Sequence, residues 1–147
     1  MNKGRAVLYY FCAAALSAIP LTPLKSSGGE GTGLVYDPVF LEHATGEGHP
    51  ERPQRLQAIV GRLGEKGLLG KLARIGPRPA GLKWLEAVHS PAYVRRVRKA
   101  CRDAGSRVVF LDDPDTAVSG KSYEAALAAA GGAIAAVDAV AAGKVRN

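Results

Sequence analysis

The chain has 147 residues, a length that allows one domain, and 47% of these residues are hydrophobic. The formal net charge of +7 is moderately basic and does not by itself indicate a nucleic-acid partner. The two cysteines, Cys12 and Cys101, are too few for a disulfide scaffold or a zinc knuckle.

The N-terminal segment has the pattern of a secretory signal peptide. Residues 2–5 include the basic Lys3 and Arg5, and the apolar run from 6 to 19 is too short for an ordinary membrane span. We therefore predict a signal peptide over residues 1–19 and an exported protein, periplasmic or secreted. An uncleaved anchor and a misassigned start codon are the alternatives, and without export the chain would be cytoplasmic. Residues 20–32, rich in Pro, Ser and Gly, are predicted to be a linker.

From residue 33 onward, short strand patterns alternate with helix patterns. Strands are predicted over 33–36, 71–75 and 107–111. Helices are predicted from Pro53 to about Gly67, over 82–88, from Pro91 to Ala104 with Ser90 as N-cap, and from Ser119 as N-cap to about Ala142. Such an alternation predicts an α/β domain with a parallel sheet.

The last predicted helix is rich in alanine. Its apolar stripe is predicted to be Leu127, Ala130, Ile134, Val137 and Ala141. The pair Gly131-Gly132 lowers helix propensity by roughly 1 kcal/mol per glycine, which favours a position in close contact with another element. Asp138 and the weak hydrophobicity of the helix argue against a membrane span.

The most distinctive stretch is His43-Ala-Thr-Gly-Glu-Gly-His-Pro-Glu-Arg-Pro-Gln-Arg-Leu56, which lies between the first strand and the first helix. Loops at the carboxyl ends of strands are where open α/β sheets bind ligands. His43 and His49 are six positions apart with no third ligand nearby, and this is not a recognised zinc pattern.

Four segments occur in an order that resembles the histone deacetylase superfamily, in the version of its class II-like and bacterial members, including the acetylpolyamine and acetoin-utilisation relatives. They are Tyr36-Asp37 with His43 and Gly48–Pro53, then Leu85–Val94, then Leu111–Thr116, and then Ser119–Gly132. The resemblance extends from about Gly33 to Asn147. The ordered set is specific, although no single segment would be.

The resemblance implies that residues 33–147 are the N-terminal part of an arginase/deacetylase-like domain, an open parallel sheet with flanking helices. In that family a zinc-bound water, a histidine base and an oxyanion-stabilising tyrosine hydrolyse the acetyl amide of a lysine or a polyamine. The family's paired histidines, metal ligands and tyrosine follow later in sequence. We therefore expect a truncated domain that by itself neither binds zinc nor deacetylates.

The resemblance also implies roles for residues of this chain. The substrate rim would include His49, Pro50, Glu51 and Asp115, and the rim loop would be supported by His43, Arg52 and Arg55. No catalytic or metal-binding residue is assigned. The alternative is a loop without a ligand role, locked by a contact of Glu51 with Arg55 or Arg52, and an ordinary turn aspartate at Asp115.

Other residues have plainer interpretations. Trp84 and Tyr93 are predicted to lie in the core, and His89 to cap or pack at a turn between helices. A basic helical face is predicted to be solvated, with an acidic partner as the alternative, and consists of Arg95, Arg98, Lys99 and Arg102.

A different class of function competes with the enzyme. The chain could be a non-catalytic binding or interaction module, or half of a split enzyme whose partner chain supplies the missing half, since an open parallel sheet presents an edge for pairing. Neither a nucleic acid nor a membrane span is expected.

Overall fold

A computed structural model describes residues 31–147. The predicted signal peptide and most of the predicted linker lie outside the described residues. The helices are α1 (Pro53–Glu65), α2 (Leu82–Glu86), α3 (Pro91–Ala104) and α4 (Ser122–Ala141). The strands are β1 (Gly33–Val35), β2 (Ala73–Ile75), β3 (Val109–Phe110) and β4 (Ala117–Val118). Single 3-10 turns occur at Pro38–Glu42 and Leu69–Lys71.

The strands form two separate pairs. β1 and β2 are parallel, with Gly33 opposite Ala73 and Val35 opposite Ile75, and α1 lies between them in sequence, as a parallel connection requires. β3 and β4 are antiparallel. The third predicted strand is therefore only two residues long and does not extend the parallel pair. The reason is a tight turn, in which the Leu111 amide donates to the Thr116 carbonyl at 3.0 Å.

The C-terminal residues run beside β1. The Gly33 amide donates to the Asn147 carbonyl at 2.6 Å, and the Arg146 amide donates to the Gly31 carbonyl at 2.8 Å. The Val145 side chain is buried. β1 thus has a neighbour on each side.

Helix α4 contacts β1, β2, α3 and the turn Pro38–Glu42. Its buried face is made of small residues, namely Ser122, Ala125, Ala128, Gly131, Gly132 and Ala139. Of the predicted stripe, Leu127, Ala130 and Ile134 are half-buried, whereas Ala141 is exposed and Val137 is 67% exposed. Hydrophobicity indicated the larger side chains, whereas close approach of the neighbouring backbone selects the smallest ones.

The prediction that the two glycines pack closely is confirmed. A Cβ on Gly131 would overlap the carbonyl of Arg78, and one on Gly132 would lie 2.6 Å from Cγ1 of Val35. The Ala80 amide also donates to the Leu127 carbonyl at 2.9 Å. The segment after β2 therefore lies directly against the backbone of α4.

Helix α3 begins as predicted. Ser90 is its N-cap, with Oγ accepting from the Tyr93 amide at 3.2 Å, and Pro91 occupies the first turn. Helix α4 begins later than predicted, with Lys121 rather than Ser119 at the N-cap position. Ser119 is buried and bonded elsewhere.

Two predictions about the aromatic residues differ in outcome. Trp84 is 51% exposed, so its assignment to the core was wrong, since it lies on a five-residue helix with its ring against Lys83 Nζ at 5.1 Å. Tyr93 is half-buried, and the His89 ring packs against it with 5.4 Å between ring centroids. The basic face of α3 is exposed, as predicted.

Within residues 31–147, α4 is long and apolar enough to cross a membrane by length and composition alone, with a mean hydropathy of 1.5. This is weak evidence for a span, because core helices of globular domains have the same property.

Candidate functional site

The first candidate loop, between His43 and Pro53, is braced by hydrogen bonds to the backbone of Glu51. The buried Thr45 hydroxyl donates to the Glu51 carbonyl. His49 Nδ1 lies 3.1 Å from the Glu51 amide nitrogen and 2.9 Å from the Glu51 carbonyl oxygen. Gly46 and Gly48 have φ of 93° and 77°, which glycine adopts without the clash a Cβ would bring. The backbone of Glu51 is therefore bonded by two other residues of the loop, Thr45 and His49.

The Glu51 carboxylate forms an ion pair with Arg55, one turn along in α1. Arg52 takes no part through its side chain in any hydrogen bond or ion pair within residues 31–147; its carbonyl accepts from the Arg55 amide at 3.0 Å. Of the two contacts considered for Glu51, the structure shows the one with Arg55. Pro50 is exposed beside them.

The same loop is fastened to the start of α4 by two serines. His43 Nδ1 lies 2.6 Å from Ser122 Oγ, and the Ala44 amide donates to Ser119 Oγ at 3.2 Å. The Ser119 amide donates to Ser122 Oγ at 2.8 Å, and the two hydroxyl oxygens are 3.1 Å apart. Because Ser122 Oγ already accepts from this amide, its own hydrogen is available to His43 Nδ1, an arrangement that suits the neutral Nε2–H tautomer.

The electrostatic surroundings of His43 agree with a neutral ring. Burial lowers its pKa below the ordinary value of 6.5, and the nearby His49 lowers it further, while Glu51 opposes the shift. A neutral His43 can accept the serine hydrogen. Ser119 and Ser122 were not identified as site residues from the sequence, and only their place in the Ser119–Gly132 segment of the resemblance pointed to them.

An apolar groove of about 360 Å³ opens beside His43. It is lined by Phe40, His43, Leu56, Ser122, Ala125, Ala126 and Ala129. The first loop therefore combines polar side chains with an adjacent apolar surface.

The second candidate loop, Asp112–Thr116, contains three aspartates in three different settings. Asp113 Oδ1 accepts from the Asp115 and Thr116 amides, both at 2.8 Å, and the Thr116 hydroxyl also donates to this carboxylate. Asp112 is paired with Arg96. The Asp115 carboxylate is exposed and has no hydrogen bond or ion pair within the described part of the chain. Asp115 is therefore the carboxylate of this loop that a ligand could reach.

The two candidate loops meet at one end of α4. The second loop leads through β4 directly into Ser119, which with Ser122 holds the first loop. The buried serines therefore hold the first loop by hydrogen bonds, whereas the second loop is joined to them only along the chain, through β4.

The potential metal ligands do not fit a zinc ion. In the part of the chain that the structure describes, no three His, Cys, Asp or Glu side chains form a group that could hold one. His43 and His49 are engaged by Ser122 and by the backbone of Glu51.

Comparisons with known proteins agree with this architecture. Residues 49–147 match the family model described as the histone deacetylase domain. Human histone deacetylase 9 is 44% identical over 96 residues, which are 61% of this chain and 10% of that protein. A probable deacetylase of Archaeoglobus fulgidus is 33% identical over 111 residues, which are 74% of this chain and 30% of that protein.

A crystal structure of the HDA15 HD domain matches with a TM-score of 0.72 and 28% identity, over 80% of this chain and 33% of that one. The chain therefore spans about a third or less of the length of each of these relatives. The likeness to this structure agrees with the predicted arginase/deacetylase-like fold.

Proposed function

The chain belongs to the histone deacetylase family, and we propose that it forms the N-terminal part of a zinc-dependent deacetylase domain. The reaction would be hydrolysis of the acetyl amide of an acetylated lysine or polyamine. The match of residues 49–147 to the family's domain supports the reaction class. Parallel assays with an acetyl-lysine peptide and an acetylated polyamine distinguish the two substrates.

In this proposal the chain supplies the rim of the substrate pocket through His49, Pro50, Glu51 and Asp115. The observation that carries it is that both loops reach the start of α4, the first through hydrogen bonds to Ser119 and Ser122 and the second along the chain through β4. The Asp115 carboxylate would accept hydrogen bonds from the substrate, since an ionised acceptor makes stronger bonds than a neutral one.

The support of the rim loop is divided among three residues. Arg55 holds Glu51 through its side chain, and His43 ties the loop to α4. Arg52 acts through its backbone carbonyl.

Zinc would supply an activated water in the complete domain. The described residues do not fit it, so no step through the metal is assigned to them. We expect the 147-residue chain alone to bind no stoichiometric zinc and to release no acetate from acetylated substrates.

The test begins with the source DNA beyond the codon for Asn147, read in all frames. Where a continuation with a His-His segment and an Asp-x-His segment follows, the extended protein should release acetate from an acetyl-lysine peptide or an acetylated polyamine. A chelator should abolish this activity, and Asp115→Asn should raise KM more than it lowers kcat. Acetate release by the purified 147-residue chain, sensitive to chelator, would contradict the proposed division of labour.

A split enzyme or interaction module is the second candidate, favoured by the exposed apolar side chains Val137 and Val140 on α4 and Phe110 on β3. A second chain would cover exposed apolar side chains of this kind. Co-purification of a chain with a His-His segment supports the split form, whereas a monomer that unfolds cooperatively by itself supports an independent module. We also propose export of the protein, to be checked by cell fractionation.

A further inference from the structure

A two-point ion pair connects α3 to the second candidate loop. Arg96 Nη2 donates to Asp112 Oδ2 at 2.9 Å, and Nη1 donates to Oδ1 of the same carboxylate. Parallel bonds of this kind fix the relative orientation of the two groups as well as their separation. Hydrogen bonding to Arg96 also holds the pKa of Asp112 below its usual range.

The Arg96 guanidinium packs on an aromatic ring of its own helix. The Tyr93 ring lies beneath the Arg96 guanidinium, 5.1 Å from ring centroid to Cζ, and the His89 ring packs on Tyr93 in turn. α3 is itself fixed, because Val94 and Cys101 are buried. The position of the Arg96 guanidinium is therefore fixed by the Tyr93 ring and by the packing of α3.

The loop has few other attachments. Asp113 closes the loop on itself, and the flanking strands have only two residues each. Within residues 31–147, the pair with Arg96 is the one side-chain hydrogen bond or ion pair from 112–116 to a residue outside that segment.

We propose that Arg96 is the positioning residue of this loop and sets the direction in which Asp115 faces a substrate. The substrate part of this inference rests on the proposed rim function. Arg96 does not touch the substrate; it acts through Asp112 and the turn that Asp113 closes.

An exposed ion pair adds little to global stability, and both side chains are about half exposed. The expected effect is therefore local order of the loop. Hydrogen exchange and nuclear magnetic resonance relaxation of the 147-residue chain measure this order without any substrate.

Arg96→Ala and Asp112→Asn should each raise amide exchange of the loop roughly two- to fivefold and increase the motion of the Asp115 and Thr116 amides. Arg96→Lys should restore only part of the order, because lysine cannot form the two parallel bonds. The double variant Arg96→Asp with Asp112→Arg, which reverses the ion pair, should have a more ordered loop than a variant with either of these two changes alone. Arg95→Ala is the matched control, an exposed arginine of the same helix without an ion pair in the described structure.

The proposal is overturned if Arg96→Ala leaves the loop amides unchanged or if Arg95→Ala alters them equally. Kinetics of the extended protein separate the two proposals. An unchanged KM in Asp115→Asn argues against the rim function, while the loop measurements on the 147-residue chain decide the role of Arg96 by themselves.

Discussion

Ser122 Oγ lies 2.6 Å from Nδ1 of His43, although 79 positions separate them in sequence. Ser122 is 6% exposed and also accepts from the Ser119 amide. Ser122→Ala leaves a half-buried imidazole nitrogen and a buried amide without their partner, which should lower the free energy of unfolding by about 1–3 kcal/mol. Urea unfolding followed by circular dichroism measures this loss.

The matched control is Ser106→Ala, at an exposed serine with no hydrogen bond in the described structure. It should change the free energy of unfolding by no more than about 0.5 kcal/mol. Equal effects of the two substitutions would show that the contact between loop and helix contributes nothing.

Lowering the pH should lower the free energy of unfolding, in part through protonation of His43. Its folded-state pKa is lowered from 6.5, chiefly by burial, so as the pH falls the unfolded chain takes up the proton first. The contribution of the neutral ring is therefore complete above the unfolded pKa and is lost as the pH falls toward the folded-state pKa. Unfolding free energies at about pH 7.5 and about pH 5.5 should differ less in His43→Gln than in the wild type. An identical difference in both proteins would refute this assignment.

Glycine-to-alanine substitutions in α4 and α1 should change the free energy of unfolding in opposite directions. Gly131→Ala places a methyl group against the Arg78 carbonyl, so overpacking should lower stability by about 1–3 kcal/mol despite the gain in helix propensity. Gly61→Ala in α1 meets nothing within 4 Å and should raise stability by up to about 1 kcal/mol. Thermal and urea unfolding of the two variants check both signs, and stabilisation by Gly131→Ala would contradict the observed packing.

Cys101 should be protected from alkylation in the native protein. Its side chain is 1% exposed, and burial raises the pKa of its thiol, so the reactive thiolate is scarce and inaccessible. Mass spectrometry of digested protein after iodoacetamide treatment should find Cys101 unmodified in buffer and modified in urea. Rapid labelling in buffer would mean that the contact between α3 and α4 opens readily.

The sequence allowed α3 to be predicted almost to the residue, because its signals are local. A serine cap, a proline in the first turn and a glycine after the end act within a few positions of one another. The buried face of α4 could not be predicted in the same way. It depends on which backbone approaches the helix, and the segment after β2 that does so is 40 or more positions earlier.

The candidate loops were predicted from their composition and from a family resemblance, and their anchoring was not. Ser119 was taken for a helix cap because its local sequence suits one, yet its hydroxyl accepts from the amide of Ala44. Ser122 looked like any polar residue of a helix. Hydrogen bonds between residues 75 and 79 positions apart leave no periodic pattern in a single sequence.

The contact at Gly131 has a consequence for how this helix can vary. The atom that an added methyl group would meet is the main-chain carbonyl of Arg78, not its side chain. A smaller side chain at position 78 therefore cannot by itself make room for a larger residue at 131. In a saturation screen for second-site suppressors of Gly131→Ala, rescue should come from substitutions that let the backbone of segment 77–80 shift away from α4, and not from truncation of the Arg78 side chain alone.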